Sequence, residues 1–178
     1  MSAATIKRTS TMEEILGAYP GAKRALFTRY HIGGCSSCGF QPTETLEQVL
    51  SRHNVLDVEE VVTHLQQAEE VDRKIQISAQ EVAGLVKDGK AKLIDVRSEY
   101  EHELAHIEGA QLATQELVQE LMRGPKDATI VFHCHHGIRS LDAAAYFIGH
   151  GFTNVRSMKG GIDAWSTDVD AKVPRYQG

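Results

Sequence analysis

Three cysteines carry the chemistry available to this chain, and one of them sits in a pattern that says which chemistry it would be. Cys134 lies in Phe132-His133-Cys134-His135-His136-Gly137-Ile138-Arg139-Ser140. An apolar run of strand formers precedes it, and Ala143, Ala144, Phe147 and Ile148 follow at helical spacing. A cysteine at a strand-to-helix turn faces loop N–H groups and a helix N-terminus, which both stabilise negative charge. That setting favours the thiolate, the nucleophilic form of the side chain. Gly137 permits a tight cradle that a side chain would obstruct, and Arg139 adds a permanent positive charge. The N–H groups from His135 and His136 through Gly137 and Ile138 to Ser140 would equally hold a persulfide, Cys134–S–S⁻. A lone buried cysteine is ordinarily an inert core residue; the strand–Cys–loop–Gly–Arg–helix order argues for a nucleophile instead. His133, His135 and His136 crowd the same loop, but no local Asp, Glu or Cys completes a metal set, so no metal is expected. As neutral rings, His135 and His136 make a less positive mouth than Arg or Lys would. That favours a persulfide or polysulfide donor over dianionic thiosulfate.

Cys35 and Cys38 form a Cys-x-x-Cys element after Gly33-Gly34. The spacing brings two sulfurs within disulfide reach and recurs in redox sites and metal knuckles. One such pair supplies two metal ligands; His31 offers a third, and a fourth would have to come from His53, His64 or a second chain. Redox disulfide, metal or cluster site, and structural pair all stand as readings.

Two kinds of element must position these cysteines. Thr11-Met12-Glu13-Glu14 fits a capping box, Pro20 suits the start of a second helix reaching about Phe27, and Pro42-Thr43 opens a third with Leu46, Val49 and Leu50 on one side. Asp57 caps a fourth helix bearing Val58, Val61, Val62 and Leu65, which turns wholly polar over 68–74. Residues 1–70 therefore read as a small helical domain, 71–76 as a polar boundary, and 77–178 as a second domain. There, strands alternate with helices: 75–77, 93–96, 129–132 and 155–157 as strands, and 79–87, 114–122 and 140–150 as helices, with a second capping box at Ser78 and Glu81. Such alternation implies an α/β domain whose mostly parallel sheet is covered on both faces. Sites in such sheets form at the carboxyl ends of strands.

Three separated motifs in order give residues 75–178 a family resemblance. Cys134-x-x-Gly137-x-Arg139-Ser140 resembles the active-site loop of rhodanese domains. Asp95-Val96-Arg97, Glu101, His106-Ile107 and Gly109-Ala110 resemble the family's upstream signature, and Gly160-Gly161 followed by Trp165 resembles its close. Ala105 stands where the family usually has Gly, Glu108 and Ala113 where Pro is common, and His102 where an aromatic is usual; these departures read as lying away from the nucleophile. The resemblance implies a sulfurtransferase with Cys134 as persulfide carrier, a structural ion pair between Arg97 and Glu101, and no cofactor. Asp95, at a strand end, reads as orienting the loop, with Arg97 as a second supporting residue. Phosphatases and arsenate reductases with related loops carry Cys-x5-Arg; the shorter Cys-x4-Arg here suits a single sulfur better than a tetrahedral oxyanion. Residues 11–65 are similar to a small helical redox-disulfide domain associated with hybrid-cluster proteins, through Pro20, the Gly-Gly-Cys-x-x-Cys run, Glu44-Thr45-Leu46 and His53-Asn54-Val55. Joined to a rhodanese domain, Cys35 or Cys38 could resolve the persulfide by closing a disulfide.

Composition bounds the partners. Net charge is −5, with 8 basic and 10 acidic residues in 1–74 and 11 and 14 in 75–178. Neither half has the basic cluster that nucleic acid requires. No apolar stretch suits a signal peptide or a membrane span, and three cysteines do not make a secreted disulfide framework, so a reducing cytoplasm is expected. The expected partners are a small sulfur donor (thiosulfate, glutathione persulfide or polysulfide) and a thiol acceptor, with a protein acceptor as a further candidate. The rival reading is a sensor in which persulfidation alters a partner contact without turnover.

Overall fold

The computed structural model describes residues 6–33 and 39–176. The chain divides into two compact units, Met1–Lys74 and Ile75–Gly178.

The first unit is built on four helices: α1 (Met12–Ala18), α2 (Ala22–Tyr30), α3 (Leu46–Arg52) and α4 (Val58–Ile75). The Thr11–Glu14 capping box forms as expected, and Asp57 accepts from the Glu60 N–H to start α4. α3 begins later than Pro42-Thr43 suggested, because Thr45 and Gln48 make a reciprocal capping box of their own. Gly21, not Pro20, is the N-cap of α2. Met12, Ile15, Leu26, Leu46, Val49, Leu50, Val61 and Leu65, one stripe from each helix, are buried together with Ile32, which follows α2. The polar stretch that read as a boundary is helical: α4 continues through 71–75 directly into the first strand. Asp72 is buried on this stretch and pairs with Arg24.

The second unit is a five-stranded, all-parallel sheet in the order β1-β5-β4-β2-β3. The elements run β1 (Gln76–Ile77), α5 (Ala79–Lys87), β2 (Lys92–Asp95), α6 (Glu99–Leu104), β3 (Gln111–Leu112), α7 (Gln115–Arg123), β4 (Ile130–His133), α8 (Ile138–Gly149), β5 (Val155–Met158) and α9 (Gly161–Asp168). Successive strand residues face opposite ways, and both faces are apolar. Ile94, Ile130, Phe132 and Val155 pack with Leu121 of α7 and Leu141, Ala144 and Phe147 of α8. Leu93, Val131 and Met158 pack with Ala79 and Val82 of α5 and Ile162 and Trp165 of α9. β4 is central and buried at every residue, so its C-terminal end opens among β2, β5 and the loops that follow them. No helix among the described residues is long and apolar enough to cross a membrane.

Candidate active site

Cys134 is the first residue after β4 and is 1% exposed. Its Sγ accepts from the Gly137 N–H at 3.1 Å and lies 3.6 Å from the Ser140 hydroxyl, which meets the buried Ser157 hydroxyl at 3.0 Å. The loop is shaped from two sides. Gly137 adopts φ +95° as the N-cap of α8, and a Cβ there would lie 2.9 Å from the Gly160 nitrogen. From the other side, the first turn of α9 grips the loop's carbonyls. Ile162 N–H donates to the Cys134 oxygen at 2.8 Å, and Asp163 N–H donates to the His135 oxygen at 3.2 Å. A side chain at Gly161 would lie 2.2 Å from the Cys134 carbonyl oxygen, so only glycine lets α9 come this close. With two carbonyls tied to α9 and the Gly137 N–H on the sulfur, the cradle presents donors to an anion at Cys134.

Above the sulfur is an open pocket of about 570 Å³, lined by Tyr100, Glu101 and Leu104 of α6, the loop residues 134–136, Ile138, Arg139 and Tyr176. Arg139 donates to both Glu101 carboxylate oxygens, at 2.6 and 2.8 Å. Those bonds hold the Glu101 carboxyl well below the usual carboxylate range and raise the Arg139 guanidinium further above its own. Tyr176 donates to Glu101 at 3.2 Å and accepts from Arg97 at 2.8 Å. Its ring stacks on His135 with centroids 4.2 Å apart, and His135 stacks on His136 at 3.8 Å. Burial, and then the neighbouring His136, lower the His135 pKa and keep that ring neutral.

Next to α6, Asp95 and Arg97 are buried as a charged pair. Arg97 grips both oxygens of Asp95, at 2.8 and 2.5 Å, and donates to the Ala105 and Glu101 carbonyls. His102 meets the same carboxylate at 2.8 Å. Burial works against the Asp95 charge, but the Arg97 hydrogen bonds, the His133 ring and His102 outweigh it, and the carboxyl pKa is lowered. His133, opposite Asp95 in the sheet register, is wholly buried with neither ring nitrogen hydrogen-bonded. Burial pushes its pKa down to about 4.

The structure thus brings Cys134, His135, His136, Gly137, Ile138, Arg139 and Ser140 into one site and alters several roles. The Gly137 N–H meets the sulfur, Ser140 contributes its hydroxyl, and Ile138 supplies an apolar rim. Arg139, expected to add a permanent positive charge to the loop, pairs with Glu101. The expected Arg97–Glu101 ion pair is not formed: Arg97 pairs with Asp95 and touches only the Glu101 main-chain oxygen. Asp95 orients Arg97 and His102, not the loop directly. His102, read as lying away from the nucleophile, meets Asp95, and Tyr100, Glu101 and Leu104 of the same helix form one wall of the pocket. Tyr100, Leu104, Ser157 and Tyr176 escaped the sequence reading. A capping box at Ser98 and Glu101 was available to reveal α6; nothing local marks Tyr176. Cys35 and Cys38 lie outside the described residues. Among the described residues, no cluster of His, Cys, Asp and Glu is arranged to hold a metal ion.

These features are those of a rhodanese-like domain, and the model of that family matches residues 78–168. The chain belongs to the rhodanese-like family. It is 32% identical over 96 residues to the thiosulfate sulfurtransferase GlpE of Vibrio cholerae, a match spanning 53% of this chain and 91% of that protein. It is 37% identical over 90 residues to the probable adenylyltransferase/sulfurtransferase MoeZ of Mycobacterium tuberculosis, covering 49% of this chain and 23% of the other. Among solved structures, the reduced CoADR-RHD of Bacillus anthracis shares the fold at 22% identity and a TM-score of 0.52, over 76% of this chain and 23% of that one.

Proposed function

We propose that residues 75–178 are a sulfurtransferase that carries sulfane sulfur as a persulfide on Cys134. The observation that carries this reading is the Cys134 sulfur at the end of β4, held by the Gly137 N–H on the floor of a pocket. The Cys134 thiolate attacks the outer sulfur of a donor. A new S–S bond forms, the donor's own bond to that sulfur breaks, and the leaving group departs with the electron pair. The persulfide anion keeps the Gly137 N–H and the Ser140 hydroxyl as its partners. An acceptor thiolate then takes the outer sulfur and returns Cys134 as thiolate. Arg139 and Glu101 frame the entrance as a neutral pair, while Asp95 and Arg97 brace α6 from below. The relatives named as sulfurtransferases agree with this chemistry. A small donor, a thiol or protein acceptor and a cytoplasmic setting complete the proposal.

The finer part of the proposal makes the small helical domain a redox-disulfide domain in which Cys35 and Cys38 are one acceptor. Its support is their Cys-x-x-Cys spacing. One thiol takes the outer sulfur, and the other displaces it as hydrosulfide, leaving a Cys35–Cys38 disulfide; two thiols are oxidised as one sulfane sulfur is reduced.

One experiment addresses both parts. The protein is loaded with a sulfur donor, freed of small thiols, and followed by intact mass, peptide mapping and sulfide release. Wild type gains the mass of one reductant-labile sulfur on Cys134, and Cys134→Ser gains none. Full transfer by Cys134→Ser removes the central claim. One disulfide per sulfide released, lost in Cys35→Ser and Cys38→Ser, is expected of the coupled acceptor; unchanged release in both variants eliminates the coupling alone. Loading that never turns over with any acceptor thiol would mark a sensor instead.

A further inference from the structure

Charge and apolar surface are distributed unevenly around the Cys134 pocket. Its two permanently charged side chains, Arg139 and Glu101, neutralise each other through two short hydrogen bonds. Among the described lining there is no Lys and no second Arg to meet a second negative charge on a ligand. Meanwhile Tyr100, Leu104 and Ile138, which line this pocket, stand 73%, 48% and 51% exposed. Apolar side chains gathered around one opening gain free energy when a ligand removes them from water. A dianion entering such a site loses hydration without gaining a countercharge.

From this we infer that the pocket selects monoanionic organic sulfane donors with an apolar body over inorganic thiosulfate, and that Glu101 sets the preference by neutralising Arg139. The inference rests on the sulfurtransferase reading and names its donor class. For an organic thiosulfonate the step is Cys134–S⁻ + R–SO₂–S⁻ → Cys134–S–S⁻ + R–SO₂⁻. The donor's S–S bond breaks, the sulfinate leaves with the electron pair, and no proton or outside reductant is needed. The apolar group R lies against Leu104, Ile138 and Tyr100 while the sulfane sulfur descends to the Gly137 N–H.

Three donors separate charge from apolar contact: thiosulfate, methanethiosulfonate and benzenethiosulfonate. Each kcat/KM with the full-length protein is divided by that donor's rate with free cysteine, which removes intrinsic reactivity. Benzenethiosulfonate is expected to exceed methanethiosulfonate, and methanethiosulfonate to exceed thiosulfate, by roughly tenfold at each step. Glu101→Gln frees the guanidinium and should raise thiosulfate relative to methanethiosulfonate by roughly tenfold, whereas Arg139→Gln leaves the carboxylate bare and should lower that ratio. Leu104→Ala with Ile138→Ala should erase most of the benzene-over-methane preference and leave the charge ratio alone. Thiosulfate reacting as well as methanethiosulfonate, or a charge ratio unmoved in folded Glu101→Gln and Arg139→Gln, overturns the inference while sulfur transfer stands. If no donor places sulfur on Cys134, the sulfurtransferase reading falls and this inference with it.

Discussion

His133, beside Cys134, shows burial prevailing over a neighbouring charge: Asp95 lies 3.8 Å from its Nε2 and favours the protonated ring, yet the ring's pKa is lowered. Neither ring nitrogen has a hydrogen-bond partner, and the pKa falls to about 4. An unfolded histidine titrates near 6.5. Below that value the unfolded chain therefore binds a proton that the folded chain refuses, so stability is complete above about pH 6.5 and drains away as pH falls toward 4. The shift corresponds to ~3 kcal/mol at the low end of the window. His133→Phe keeps a ring of similar shape and removes the titration. Urea midpoints at pH 7 and pH 4.5 should differ less in the variant than in wild type. An equal difference would mean that groups other than His133 set the acid sensitivity over this window, since Asp95 gives up its stabilisation only below about pH 4. At pH 7 the variant should lose little stability, since Asp95 keeps its hydrogen bonds to Arg97 and His102 when the His133 ring is replaced.

Among the elements, α9 behaves as part of the Cys134 loop although it is remote from it in sequence. Its first turn holds the carbonyls of Cys134 and His135, and the approach depends on Gly161 at φ +60°. Gly161→Ala drives a Cβ into two carbonyl oxygens, at 2.2 and 2.3 Å, in a conformation that alanine adopts poorly. The variant should lose about 2–3 kcal/mol of stability. At a temperature where it is still folded, sulfur loading should also fall at least tenfold, as the displaced loop turns the Gly137 N–H from the sulfur. Calorimetry and persulfide mapping on one preparation test both, and unchanged loading would show that the loop keeps its shape without α9.

At the scale of the whole molecule, each hydrophobic core is closed on its own stretch of chain: 6–68 for one, 75–176 for the two faces of the sheet. A chain of residues 74–178 should therefore unfold cooperatively and still take one sulfur per molecule on Cys134. A molten product, or one that cannot be loaded, would show that the helical unit completes the fold or the site.

The same division explains what was legible in the sequence. β2, β4, α5 and the Cys134 loop were visible because their signals are local: apolar runs, a capping box, a Gly three residues after a Cys. α6 and α9, of six and eight residues, gave weaker patterns, and β3 is two residues long. Most of the pairs that define the pocket lie far apart in sequence. Glu101 with Arg139, Arg97 with Tyr176, and Ser140 with Ser157 meet only once the sheet has assembled. The family resemblance implied Arg97 and Glu101 as partners; packing instead pairs Arg97 with Asp95 and Glu101 with Arg139.

The depth of Cys134 has a consequence for what the surroundings can attack. With 1% of its surface exposed, the empty thiol is withdrawn from bulky electrophiles. Adding one sulfur extends the side chain by an S–S bond, about 2 Å, toward the pocket. A wide alkylating agent then meets the cargo before it meets the protein's own sulfur, and because the adduct is joined through a disulfide, reduction releases it and restores the cysteine. In the proposed sulfur carrier the loaded chain would be the vulnerable one, yet the damage would fall on an atom due to be given away.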